Sequence, residues 1–156
     1  MADFPTGQRD FIIRHTQCLL DCFKHWAGRE LLDVSGSPEE IAKSVFESPM
    51  IVVSHGTEDD PILNYGNRVA MELWEMDWIA LTQTPSRLTA EPVALEERAA
   101  LLDEVTRNGY IDNYQGIRIS NSGKRFKIEQ AVVWNLLDEQ GQHCGQAAAF
   151  DHWHYL

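Results

Sequence analysis

The sequence predicts an α+β fold: helices first, then two short strands, a helical midsection and a closing three-strand meander. Three features carry that reading. Over residues 8–32, Phe11, Ile12, His15, Leu19, Cys22, Phe23 and Trp26 recur at three- and four-residue steps, a broad apolar helix face. Ile62-Leu-Asn-Tyr65 passes through a glycine turn into an amphipathic helix that ends at Trp74. After Gly109, three β-rich segments follow, separated by Asn121-Ser-Gly-Lys124 and Glu139-Gln-Gly141.

The first helix is expected from Gln8 to Leu32, broken by Val34-Ser-Gly-Ser37. A second opens there, with Ser37 as N-cap, Pro38 in the first helical position and Glu40 completing a capping box. Its inner face would carry Ile41, Val45 and Phe46. It stops before Pro49, because the residue preceding a proline avoids helical geometry. Met50–Ser54 is β-branched and reads as the first strand, His55–Pro61 as a turn, and Ile62–Tyr65 as the second strand. Asn67 is a good N-cap for a helix with Ala70, Leu73 and Trp74 inward. Residues 76–92 have no clean period and hold two prolines, which predicts short helical turns and loop. Ala94–Asn108 is helical again, with Leu95, Ala99, Leu102 and Val105 on one face and Gly109 as the stop.

In the meander, Tyr110–Ser120 is expected to turn Ile117 and Ile119 inward. Arg125–Asp138 would carry Phe126, Ile128, Val132, Trp134 and Leu136 on a single face, and Gln142–Trp153 would be the last strand. From Ala131 to Leu137 the middle strand is apolar on both sides. A strand covered on one side alternates, so its second face needs cover, from the N-terminal helix or a partner chain.

Composition narrows the function classes. The 156 residues are 44% hydrophobic and 24% charged, an ordinary globular makeup, and large enough for a core without staples. A formal net charge of -11 repels phosphate backbones, so nucleic acid is not expected as a partner. Lys124-Arg-Phe-Lys127 reads as a solvated strand end. Met1-Ala-Asp-Phe-Pro5 lacks the pattern of a signal peptide, and no apolar stretch reaches the ~18 residues that span a bilayer. Three cysteines without framework spacing suit a reducing compartment. A cytoplasmic protein with no membrane partner is the expectation.

From about Pro49 to Trp153 the chain resembles the PAS superfamily. The resemblance lies in Asn64-Tyr-Gly-Asn67 with its following helix, in Gly109-Tyr110 through Gly123 and Phe126, and in Asp138–Gly141 and Phe150-Asp151. More narrowly it looks like a stand-alone bacterial member of the MEKHLA family, a domain also found at the end of plant class III homeodomain–leucine zipper proteins. That match rests on Leu63–Asn67, Ala70–Trp74, Arg87–Ala90, Gly109–Ile111, Gly116–Arg118, Gly123–Phe126 and Phe150–Trp153. The resemblance implies a PAS-like five-stranded antiparallel sheet with short helices in its concavity over residues 49–156. Residues 1–48 would be an N-terminal helical extension. It also implies a sensory or interaction role without a known reaction. Flavin photosensors of this superfamily use a cysteine in an Asn-Cys-Arg-Phe-Leu-Gln motif. Here Arg87 keeps the arginine but Ser86 replaces the cysteine, so no photoadduct is expected. The amide such sensors place near the end of the last strand aligns with about Ala149.

The remaining candidates are weighed by geometry. His15, Cys18, Cys22 and His25 share a helix quadrant but span ~15 Å, too far for one ion, and read as a packed face. His152 and His154 share a strand face, with His143 at the far end, but no acidic or thiol partner stands near, so no metal site is assigned. Ser54 and His55 are adjacent in a strand and point to opposite faces, so they form no dyad. Asp59-Asp60 reads as solvated loop. An enzyme would need an acid or base inside the cavity, and the nearby Glu72 and Asp77 look outward-facing. The expected ligand site is an apolar hollow, with Trp74, Trp78 and Gln130 lining it, Arg87 as polar anchor and the small run Ala147-Ala-Ala149 leaving room. The leading expectation is a non-enzymatic sensory or regulatory module binding a flavin or another small apolar or aromatic ligand. The alternative is a ligand-free dimerisation or partner-protein module acting through the outer sheet face.

Overall fold

The computed structural model describes residues 4–90 and 95–156. Helix α1 (Arg9–Ala27) turns Ile12, Leu19 and Phe23 fully inward. It stops short of the expected Leu32. Gly28 takes the left-handed conformation (φ 73°) and its N–H closes on the Lys24 carbonyl, a C-cap that ends the helix five residues early. Helix α2 (Pro38–Phe46) begins with the predicted capping box: Glu40 N–H donates to Ser37 Oγ (3.2 Å) and Ser37 N–H to Glu40 Oε1 (3.0 Å).

Among the described residues six strands form one antiparallel sheet: β1 (Ile51–His55), β2 (Leu63–Gly66), β3 (Tyr110–Ile119), β4 (Arg125–Leu137), β5 (His143–Phe150) and β6 (His152–Tyr155). The order is β2-β1-β5-β4-β3, and β6 pairs with β4. The single last strand expected over Gln142–Trp153 is therefore two. β5 pairs with Val132–Leu137 and β6 with Phe126–Glu129, and the break at Asp151 lies across from Gln130, whose φ is +54°. That bulge shifts the alternation of β4 by one residue. Phe126, Ile128, Ala131 and Val133 share one face of the sheet, and Val132, Trp134 and Leu136 the other, so the five residues expected together are divided. β3 is irregular too: its register with β4 slips twice between Ile111 and Gly116, and Asn113 has φ +55°. Arg118 consequently faces the hollow at 7% exposure, while Ile117 and Ile119, expected inward, are half-buried.

Helices divide between the two faces. α3 (Arg68–Trp74), α4 (Trp78–Leu81), a 3-10 turn (Ser86–Thr89) and α5 (Leu95–Asn108) gather on the concave side. α3 starts on the predicted cap, Asn67 Oδ1 accepting from Ala70 N–H, and α5 stops at Gly109 (φ 92°), where a Cβ would collide with the Trp26 indole. The buried face of α5 carries Leu101 and Val105, with Arg98 and Leu102 half-buried and Ala99 exposed, one step off the expected stripe. α1 and α2 cover the opposite face. Trp134 packs edge-on against Phe23 at 5.1 Å and its indole N–H donates to the Leu19 carbonyl (3.1 Å). The second face of β4 is thus covered by the chain's own first helix.

Candidate ligand cavity between the sheet and its helices

A cavity of about 70 Å³ lies between the sheet and α3–α5. Its floor follows from strand register. Val53 pairs with Ala148 and Ala148 with Val133, so three neighbouring strands present these side chains at one level, and the alanine leaves space. Trp74, Ile128 and Phe150 form an apolar wall, with Leu81 and Leu101 from the helices.

Polar groups converge on the same space. Arg98 Nη2 donates to Ser86 Oγ (2.5 Å). Arg118 donates to the Ile117 carbonyl (2.8 Å) and to Tyr114 Oη (3.2 Å), and its guanidinium lies 5.6 Å from the centre of the Tyr114 ring. The Tyr114 hydroxyl donates to Glu97 Oε1 (2.9 Å). Gln146 Nε2 reaches the Leu102 carbonyl (3.1 Å), Thr106 Oγ1 (3.0 Å) and Asn135 Oδ1 (3.0 Å), and Asn135 Nδ2 donates to the Val105 carbonyl (2.9 Å). These two amides fasten α5 to β4 and β5. Burial, reinforced by the charge of Arg118, pulls Arg98 down to about 10. His55 Nδ1 lies 2.9 Å from the Gly56 carbonyl and must carry the proton there, while its buried Nε2 meets no partner among the described residues. Burial lowers the pKa of this ring, with the Arg98 charge adding to the effect against the opposing Gly56 carbonyl. The indole N–H of Trp74, a residue only 4% exposed, is likewise unpartnered.

Of the five residues expected to bind ligand, the structure places Trp74 on this cavity. Trp78 packs beyond the β2 edge with Phe11, Phe46 and Tyr65. Arg87 points outward and pairs with Asp60 (3.1 Å), each side chain about half exposed. Gln130 is exposed on its bulge. Ala149 pairs with Val52 and Val132 on the face beneath α1, so Ala148 is the alanine that opens the hollow. Gln146, Arg98, Tyr114, Arg118 and His55, none of them in the expected ligand set, line it as well.

Ser54 and His55 do point to opposite faces. Ser54 Oγ donates to Asn64 Oδ1 (2.5 Å) and so accepts from His15 Nε2 (2.8 Å). Burial holds His15 down to about 4. Between that value and the ordinary 6.5 the unfolded chain binds a proton the folded chain refuses, so stability falls on acidification. The expected loss from this residue between pH 7 and pH 5 is about 2 kcal/mol. Urea unfolding at both pH values should show it as the part of the difference that His15→Gln removes. His15, Cys18, Cys22 and His25 line an open groove with Cys144, and both helix thiols approach the Leu137 carbonyl. His152 contacts Asp151 (2.6 Å) and His154 contacts Glu129 (3.1 Å) at the surface. Among the described residues no three His, Cys, Asp or Glu side chains are placed to hold a metal ion, and no helix is long and apolar enough to cross a membrane.

The profile of the MEKHLA domain matches residues 13–155. The chain belongs to the MEKHLA domain family. The match begins inside α1, so the helix on the outer face lies largely within the MEKHLA pattern. Curated relatives include the homeobox-leucine zipper protein HOX10 of Oryza sativa subsp. indica, 24% identical over 137 residues, which cover 86% of this chain and 16% of the relative. Another is REVOLUTA of Arabidopsis thaliana, 22% identical over 151 residues, 90% of this chain and 17% of the relative. The MEKHLA chain thus spans 16% and 17% of the length of these two plant proteins. Among solved structures, a PAS domain from Colwellia psychrerythraea superposes with a TM-score of 0.61 at 15% identity, over 74% of this chain and 92% of that one. An RNA-binding Light-Oxygen-Voltage receptor gives 0.61 at 14% identity, over 78% and 36%. At such identities these structures establish the PAS-like fold and nothing beyond it.

Proposed function

We propose that this MEKHLA domain is a non-enzymatic sensory or regulatory module that takes a compact ligand into the hollow between the sheet and α3–α5. The observation that carries the reading is a formed cavity whose lining residues include two buried polar atoms without partners, Trp74 Nε1 and His55 Nε2. Buried polar groups left unpaired cost roughly 1–3 kcal/mol each, which a ligand offering hydrogen bonds would recover. Occupancy would bear on α5, held to the floor by Gln146 and Asn135. It would pass through β4 to α1, which offers the outer surface for a partner protein. The Ser54 proton is already committed to Asn64, so Ser54 and His55 form no nucleophile–base pair, which favours a non-enzymatic role.

A Light-Oxygen-Voltage domain studied with a flavin analogue superposes with a TM-score of 0.54 at 13% identity over 74% of this chain. The residues here do not fit a flavin. The cavity of about 70 Å³ is far below the roughly 300–1,000 Å³ of sites for drug-sized ligands. Ser86 Oγ, at the position of the photoadduct cysteine, is held by Arg98. The ligand class supported is one of roughly half a dozen heavy atoms.

The melting temperature of the purified chain, titrated with isobutyramide, isobutyrate and pyrazole, tests the reading. At least one probe should raise it by a few degrees in the wild type, and none in Ala148→Leu, whose larger side chain fills the hollow. No shift with any of the three in the wild type would overturn the proposal.

A further inference from the structure

Two arginines meet at the polar end of the hollow. Arg98 on α5 and Arg118 on β3 both line it, from elements distant in sequence, and each feels the other's charge. Like cations in a partly dry site repel. A chain with 24 acidic residues could neutralise them, yet among the described residues no carboxylate lies within ion-pair distance of either. Glu97 is engaged by the Tyr114 hydroxyl, and Asp60, whose charge also reaches Arg98, is paired with Arg87. A guanidinium carries five N–H donors. Among the described residues Arg98 places one on Ser86 Oγ, and Arg118 places two on the Ile117 carbonyl and Tyr114 Oη. Donors therefore remain on a wall where acceptors are scarce. Trp74, 4% exposed and with an unpartnered indole N–H, adds a further donor among the lining residues.

We propose that the hollow binds a small carboxylic acid in its ionised form, the carboxylate paired with Arg98 and Arg118 and a compact apolar body resting on Val53, Val133 and Ala148. This rests on the ligand-binding reading above and gives it a chemical class. The planar fork of a guanidinium matches a carboxylate in two parallel hydrogen bonds. The apolar floor would be idle beneath an inorganic anion, and the small volume excludes a long acyl chain.

Isothermal calorimetry and tryptophan fluorescence of the wild-type chain with sodium isobutyrate and with isobutyramide, at matched ionic strength, separate charge from shape. Isobutyrate should bind roughly tenfold tighter or more, the worth of one hydrogen bond to a charged group. Arg98→Gln and Arg118→Gln should each erase that preference, weakening isobutyrate far more than the amide. Equal affinity for acid and amide would overturn the anion assignment and leave the small-ligand reading standing. Binding of neither would overturn both. Inorganic phosphate binding as tightly as isobutyrate would overturn the assignment to a carboxylate. Should Arg118→Gln fail to fold, the wild-type comparison still decides, and Arg118→Lys, which keeps the charge, should retain part of the preference.

Discussion

Asn67→Ala is expected to lower the unfolding free energy by roughly 3–5 kcal/mol, more than any other single polar replacement in this domain. Asn67 is fully buried and all four of its hydrogen-bonding positions are used. Its Oδ1 accepts from Val52 N–H (3.1 Å) and Ala70 N–H (3.3 Å), and its Nδ2 donates to the Val45 (3.1 Å) and Met50 (2.7 Å) carbonyls. One side chain thus satisfies backbone groups of α2, the loop after it, β1 and α3. Alanine would orphan the Val52 and Ala70 N–H groups and the Met50 carbonyl at once, and leave the Val45 carbonyl to its bond from Ser48 N–H. Asn67→Ser, which retains an N-cap oxygen for Ala70, should recover only about 1 kcal/mol of the loss. Asn67→Asp sets a carboxylate against two carbonyl oxygens and should be at least as damaging as alanine at neutral pH. Urea unfolding of the three variants checks the order, and a loss below about 1 kcal/mol for alanine would show that the network does not hold these elements together.

Local chemistry was legible in the sequence because it is written in neighbouring residues. The Ser37–Glu40 capping box, the Asn67 cap and the Gly109 stop all stand where spacing put them. The doubly apolar run of β4 correctly demanded a second cover, which α1 supplies. The family match and the fold neighbours likewise agree with the architecture the motifs implied.

What failed was register. A strand alternates only until a bulge inserts a residue, and the bulges here fall at Gln130 and near Asn113, residues that give no warning of it. Counting through them kept Phe126 and Trp134 on one face, turned Ile117 inward in place of Arg118, and set Gln130 in the cavity. On the last strand the run Ala147–Ala149 was expected to leave room, and within it Ala148 is the residue that faces the hollow. The arginine of the midsection failed differently. In a 3-10 turn, residues three apart share a face, so Ser86 and Thr89 point inward together and Arg87 points out. The cavity's cations come instead from α5 and β3, where arginine breaks the apolar period that marks an inward face.

Trp134→Ala should cost about 3–5 kcal/mol, and its effect bears on how the outer helices belong to the fold. The indole is fully buried between α1 and β4, edge-on to Phe23 and donating to the Leu19 carbonyl. Trp134→Phe should cost less, about 1–2 kcal/mol, because the Leu19 carbonyl sits mid-helix and keeps its own turn of α1 when the indole N–H is withdrawn. The neighbouring Val133 floors the cavity from the same strand, so the outer core and the ligand hollow share one backbone. If residues 1–48 were an appendage laid on an independent sheet, Trp134→Ala would release α1 first and unfolding would split into two transitions. A shared core predicts one transition, displaced to lower urea with its slope unchanged, followed together by far-ultraviolet circular dichroism and tryptophan fluorescence. Two separated transitions in the variant would show instead that the outer helices fold apart from the sheet they cover.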